Sequence, residues 1–131
     1  MMINVLFRTE SHYRVNRPRI IEAIIAILEK EGVRVKTEVS ISIVGDRYMR
    51  MLNKKYKDKD ETTNVLSFPL NDEEEKAPFV DFPDKVLRLG DIVISYPEAR
   101  SEAAEENKLV DEKIDELIEH GLMHLLGKHH E

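Results

Sequence analysis

The sequence predicts a single α+β domain, and three observations carry that expectation. The chain has 131 residues, the length of one ordinary domain. Its apolar residues switch repeatedly between period two and a period near 3.6, so strands and helices are interleaved. The resulting order is strand, helix, strand, helix, two strands and two helices, with no internal repeat and no linker. That pattern reads as one compact α+β domain over residues 1–131, with about four strands packed by helices.

The elements follow from local chemistry. Residues 3–7 form a short apolar run, read as a buried strand. Asn16 is placed to cap a helix that starts at Arg17-Pro18, because proline is tolerated in a first turn. Ile20, Ile21, Ile24, Ile27 and Leu28 recur at helical spacing, and Glu31-Gly32 closes that helix. Residues 39–44 alternate apolar and small polar side chains, as a half-buried strand does. Gly45-Asp46 turns the chain, with Asp46 the expected N-cap of a helix to about Tyr56. Val65-Leu66-Ser67-Phe68-Pro69 is a short strand, and its proline suggests an edge. Residues 71–83, with four consecutive acidic residues at 72–75, read as a solvated acidic loop and the least ordered stretch. Residues 89–95 return to strand character, Pro97 starts a helix to about Asn107, and Asp111 is the expected cap of the last helix. There Ile114, Leu117, Ile118, Gly121, Leu122 and Leu125 make the buried stripe.

Composition limits the chemistry. The sequence is 41% hydrophobic and 35% charged, ordinary for a globular chain. It has no Cys, which rules out disulfides and thiolate ligands, so any metal is held by nitrogen and oxygen. No apolar run approaches the roughly 20 residues of a membrane span. The N-terminus lacks the charged start and small-residue cleavage site of a signal peptide. A cytoplasmic location with no membrane partner is therefore the expectation. A net charge of -6 counts against a general nucleic-acid binder but says nothing of a local basic patch. Such a patch exists on the second helix, where Arg47, Arg50, Lys54 and Lys57 follow at spacings of three, four and three. Residues 46–59 hold six basic and two acidic side chains. The stripe is either a solvated helix face or a track for a phosphate backbone.

The chemistry concentrates at the end of the chain. Four of the five histidines lie in the last fifteen residues, within an apolar helical run. His120 and His124 are four apart, so on a helix both project from one face, with Cβ atoms roughly 5–6 Å apart. Imidazole nitrogens can then reach one zinc at about 2.0–2.1 Å. Gly127 is suited to ending the helix in the left-handed conformation, letting the chain bring a third histidine back over the pair. Three histidines with an open coordination position describe a catalytic rather than a structural zinc. The spacing invites comparison with the His-Glu-x-x-His helix of metalloproteases. Here Gly121 stands where the glutamate general base would be, so a zinc peptidase fits poorly.

These residues resemble the YbeY endoribonuclease family, whose signature is His-Gly-x-Leu-His-Leu-x-Gly-Tyr-Asp-His. The chain reads His120-Gly121-Leu122-Met123-His124-Leu125-Leu126-Gly127-Lys128-His129-His130. Three further segments are similar: Leu52-Asn53-x-x-Tyr56, Thr63-Asn64-Val65-Leu66-Ser67-Phe68-Pro69, and Leu89-Gly90-Asp91-Ile92-Val93-Ile94-Ser95. The resemblance implies a mixed sheet covered by helices, with a zincin-like metal-binding helix near the C-terminus. It implies metal ligands at His120, His124 and His130, so His130 rather than the neighbouring His129 is the third. It implies a Zn2+-dependent, single-strand-specific endoribonuclease (a hydrolase and nuclease) of ribosomal RNA processing, acting at the 3′ end of small-subunit 16S rRNA. A role in ribosome quality control, with the ribosome or its small subunit as partner, follows from the same likeness. Catalysis is then assigned to Lys57 with the three histidines, and substrate binding to Arg47, Arg50, Lys54, Lys57, Thr63, Asn64 and Ser67. Tyr56, Phe68 and Tyr96 are the candidates for stacking on bases. Two departures stand out. Lys128-His129 replaces Tyr-Asp, and Lys57 replaces an arginine, keeping the charge but losing the bidentate fork that suits phosphate. Nickel or another divalent metal also suits three imidazoles. The alternatives are a zinc hydrolase or peptidase of another substrate class, and a non-catalytic ribosome-assembly factor with a structural metal. The general base, the role of His129 and the oligomeric state are left open by the sequence.

Overall fold

The computed structural model describes residues 2–10, 12–70 and 86–128. The expected acidic loop and His129, His130 and Glu131 lie outside the described residues. The elements are β1 (Ile3–Thr9), α1 (Arg17–Lys30), β2 (Thr37–Val44), α2 (Asp46–Lys57), β3 (Val65–Pro69), β4 (Leu87–Ser95), α3 (Tyr96–Glu105) and α4 (Val110–Leu125). The strands make one four-stranded sheet in the order β1-β2-β4-β3. β1 pairs with β2 and β2 with β4 in parallel, whereas β3 runs antiparallel to β4. The sheet is mixed, as expected, and β3 with its terminal Pro69 is an edge.

Strand alternation sends side chains to two different layers. Val39, Ile41 and Ile43 of β2 and Ile92 and Ile94 of β4 pack beneath Ile20, Ile24 and Leu28 of α1. The same core takes the whole anticipated stripe of α4, from Ile114 to Leu125. Burying each such side chain is worth roughly 1.5–3 kcal/mol. On the opposite face, Val44, Leu66 and Val93 pack against Met49 of α2, with Leu52 and Phe68 beside them. The two helices of interest, α2 and α4, therefore lie on opposite faces of the sheet.

Several caps differ from the sequence expectation. Asn16 does cap α1, its Oδ1 accepting from the Arg19 backbone N–H at 3.1 Å. At α2 the N-cap is Gly45, and Asp46 is the first helical residue. Its carboxylate instead accepts from the hydroxyls of Thr62 at 3.0 Å and Ser95 at 2.6 Å, joining three loops. α3 is capped by Ser95, whose Oγ accepts from the Glu98 N–H, so the helix begins one residue before Pro97. α4 begins after Leu109 rather than at an Asp111 cap, and Glu112 reaches back to accept from the Leu109 N–H at 2.9 Å. Asp111 keeps a favourable place in the first turn, beside the positive end of the helix dipole.

In β4, Arg88 lies opposite Glu38 and Gly90 opposite Val39, so Leu89 is bulged out of the pairing with β2. Gly90 sits at φ 133°, and a Cβ there would lie 2.2 Å from the Phe68 carbonyl oxygen. β3 can approach β4 here only because this residue has no side chain.

Candidate metal centre and nucleic-acid interface

The histidine pair is held by the way α4 is pressed onto the sheet. Gly121, between the two histidines, is buried, and a Cβ on it would fall 2.9 Å from Ile92 Cγ2. A residue with any side chain would push the helix off β4. The glutamate of the metalloprotease motif is therefore sterically excluded as well as absent. His120 and His124 flank this contact on consecutive turns, His120 exposed and His124 half-buried. Ser67 on β3 pairs across the ladder with Ile92, the residue Gly121 touches. That brings the buried Ser67 hydroxyl to His124, where Oγ and Nδ1 form a short hydrogen bond. The two ring nitrogens point in divergent directions, so this bond turns Nε2 away from Ser67.

The end of α4 behaves as the sequence predicts. Gly127 takes φ 79°, the Lys128 N–H donates to Met123 O at 2.8 Å and the Gly127 N–H to His124 O at 3.0 Å. This is a Schellman closure. Lys128, one of the departures from the family signature, forms an ion pair of 2.6 Å with Glu31 at the end of α1. The hydrogen bond it donates holds the Glu31 carboxyl below the usual carboxylate range. The chain thus leaves the helix along a defined path. Among the described residues no three His, Cys, Asp or Glu side chains gather as a metal-ligating group. His130, the third expected ligand, lies outside them. The donors that are described fit a divalent metal: two imidazoles on one helix face, one with its second nitrogen occupied by a hydroxyl, as metal-bound histidines require.

The residues expected to bind substrate are not gathered beside this pair. Arg47, Arg50, Lys54 and Lys57 project from α2, on the other face of the sheet, with Lys57 closing the helix. Arg50 is engaged by Asp60 at 2.8 Å, which holds the Asp60 carboxyl below its ordinary range and raises the guanidinium. Of the three polar residues assigned to one cleft, only Ser67 reaches the histidine helix in the described contacts. Asn64 donates to Glu102 of α3 at 3.1 Å, and its carbonyl accepts from the Ser95 N–H. It braces the junction of β3, β4 and α3. Thr63 is half-buried in the same approach to β3.

Tyr56 and Phe68 do come together, edge to face at 5.1 Å between centroids. With Tyr48, Leu52 and Val93 they line a cavity of about 410 Å³ above the polar side chains Arg8, Ser40, Ser42 and Asp91. Tyr96 does not join them; it stacks on Tyr13 at 4.8 Å. Tyr48 escaped the sequence reading, although its spacing of four from Leu52 and eight from Tyr56 placed it on their face of the helix. Asn53 and Lys113 are also buried, which their polarity hid. Asn53 donates to the Glu61 carbonyl at 2.9 Å and so holds the loop that leads into β3. Among the described residues no helix is long and apolar enough to cross a membrane.

Comparison with known proteins agrees with this architecture. The family described as Endoribonuclease YbeY matches residues 7–131. A protein named Endoribonuclease YbeY from Desulforamulus reducens is 40% identical over 116 residues, 88% of this chain and 74% of that protein. One of the same name from Caldanaerobacter subterraneus subsp. tengcongensis is 40% identical over 115 residues, covering 86% and 73%. Another, from an Anaeromyxobacter species, is 42% identical over 98 residues, 75% of this chain but only 46% of that longer protein. A solution structure of a Thermotoga maritima protein shares the fold, with a TM-score of 0.60 at 24% identity over 97% of this chain and 75% of that one. A match over nearly the whole chain, with a sheet and helices that place His120 and His124 on one helix face, makes this chain a member of the YbeY endoribonuclease family.

Proposed function

We propose that this chain is a metal-dependent, single-strand-specific endoribonuclease of ribosomal RNA maturation, with one Zn2+ held by His120, His124 and His130. Its family is one of endoribonucleases, which are hydrolases of RNA phosphodiester bonds. In this reading the substrate is the 3′ region of 16S rRNA, presented on the small ribosomal subunit in the cytoplasm. Ribosome quality control is part of the same role. The observation that supports it most is the histidine pair on consecutive turns of α4, with His124 Nδ1 tied to the edge strand through Ser67. Three neutral imidazoles suit zinc, and nickel would also be accepted.

When bound, such an ion supplies a water whose pKa is lowered to about 7 and polarises a phosphoryl oxygen. The protein's own groups do the rest. With Nε2 on the metal, the His124 Nδ1–H donates its hydrogen bond to Ser67 Oγ, which holds the tautomer in which Nε2 carries the lone pair. Ser67 is thus a positioning residue rather than a substrate ligand. Lys57, which closes α2 on the other face of the sheet, adds positive charge along the path of the RNA backbone rather than beside the histidines. Arg47 and Lys54 attract the RNA backbone, Arg50 less so because Asp60 already neutralises it. Thr63 and Asn64 shape the entry to β3.

Metal content and cleavage of an unstructured RNA, measured together on the wild type and variants, test this reading. Stoichiometric metal and metal-dependent cleavage are expected, with cleavage abolished in His120→Ala at unchanged circular dichroism. Ser67→Ala should weaken zinc affinity by about 10–100-fold, the usual effect of removing such a partner, and Ser67→Thr should restore much of it. Stoichiometric metal without metal-dependent cleavage sinks the enzyme reading. Unfolding of His124→Ala would point to a structural ion instead.

A further inference from the structure

We propose that the cavity between α2 and the open face of the sheet is a nucleobase-binding groove, which holds unpaired RNA on the far side of β3 from the histidines. Four features of the groove converge on that ligand. Its wall is aromatic: Tyr48, Tyr56 and Phe68 account for three of the chain's eight Tyr and Phe residues. Both tyrosines are exposed, at 47% and 55%, and among the described residues Tyr48 makes no ring contact, so its ring is available to stack. The floor is polar. Ser40 and Ser42 stand where β2 would otherwise present apolar side chains, and Arg8 and Asp91 add a charged donor and acceptor for the edge of a base. Positive charge is close by: the Lys55 ammonium lies 5.2 Å from the centre of the Tyr56 ring, and the same helix carries Arg47, Lys54 and Lys57.

Dimensions agree with one nucleotide unit. The cavity holds about 410 Å³, within the range of small-ligand sites. Tyr48 and Tyr56 are two helical turns apart, about 12 Å along the axis, with Leu52 on the turn between them. A flat aromatic wall, hydrogen-bonding floor and adjacent positive charge are the components of a single-strand nucleic-acid platform. β3 separates this groove from the histidine helix, and its side chains alternate between the two: Phe68 lines the groove and Ser67 meets His124. RNA seated in the groove would reach the histidines by crossing one edge strand.

The identity of the ligand rests on the endoribonuclease reading; the groove itself does not. The test is fluorescence anisotropy of 5′-labelled hexauridylate with a nuclease-resistant 2′-O-methyl phosphorothioate backbone, a probe without secondary structure, titrated with the zinc-loaded full chain. Tyr48→Ala and Tyr56→Ala should each weaken binding by about fivefold to 100-fold, the worth of one base–aromatic stack. Tyr48→Phe, which keeps the ring, should bind as the wild type does. Because a stack is not an ionic contact, the slope of affinity against salt should stay unchanged in the alanine variants. Wild-type affinity in both alanine variants overturns the groove and leaves the cleavage reading intact. That is also the outcome if the groove takes a protein segment. Ring-dependent binding by a protein that cleaves nothing supports the groove and overturns the cleavage reading.

Discussion

Gly121 is required by a distance rather than by a bend. Its missing side chain lets α4 settle on Ile92, and the contact that a Cβ would make, 2.9 Å, is closer than side chains tolerate. Alanine has the better helix propensity by about 1 kcal/mol, so a surface glycine at this position would gain from the change. Here Gly121→Ala is expected to lower stability by about 1–3 kcal/mol, the range for overpacking, because the gain in propensity is smaller than the clash. Thermal unfolding of Gly121→Ala, Ile92→Val and the double variant checks it. The double variant should recover part of the loss, and simple additivity would count against the contact. The sequence already placed Gly121 in the buried stripe, because the period of α4 is regular. What it hid was the partner. Ser67 was legible as a polar residue in a signature segment, but only the pairing of β3 with β4 shows that its hydroxyl meets His124.

Between elements, α3 and α4 are joined by a buried cation. Lys113 has a side chain only 5% exposed, and its ammonium meets Glu106 at 3.0 Å, Glu116 at 2.8 Å and Glu102 at 3.4 Å. The hydrogen bond it donates to Glu116, and then those to Glu106 and Glu102, raise its pKa well above the ordinary lysine value against the cost of burial. Lys113 therefore stays charged across the physiological range. In return, the Glu106 carboxyl is lowered chiefly by Lys113, and that of Glu116 chiefly by Lys108 and next by Lys113. A carboxylate lowered in the folded state adds stability that is complete above its unfolded value and fades as pH falls through the folded one. Acidification below the ordinary value of 4.5 is thus expected to lower the unfolding midpoint. Lys113→Met should lose about 1–3 kcal/mol at pH 7 and show a shallower acid decline. Guanidinium unfolding at pH 7 and pH 4 measures both, and a decline of undiminished slope in the variant would assign the acid sensitivity elsewhere. Apolar periodicity cannot announce such an element contact. It marks helix faces by their hydrophobes, and Lys113 is on the buried side of α4 without being one. The basic stripe of α2 was legible for the opposite reason, since spacing alone defines a surface row. Which face of the sheet that row would occupy depended on how α2 packs, through Met49 against Leu66 and Val93.

Over the whole molecule, both working surfaces depend on where one five-residue strand is docked. Among the described residues β3 is paired on one side only, and Gly90 admits it by leaving space at the Phe68 carbonyl. Gly90→Ala combines that collision with a backbone angle that side chains rarely adopt, and is expected to cost about 1–3 kcal/mol or more. Its signature should be double: weaker zinc affinity through Ser67 and weaker hexauridylate binding through Phe68. Loss of one without the other would show that the strand is not what links them. Side chains on β3 alternate between faces, so its register works as a sorting rule. If the strand slid by a single residue, the hydroxyl would turn into the aromatic groove and a phenyl ring would meet His124. Both surfaces would then fail together with every residue still present. For a chain with so short an edge strand, the phase of that strand is a functional quantity in its own right. The bare backbone of Gly90, opposite Pro69 in the unbroken pairing of β3 with β4, is the feature that admits the strand in this phase.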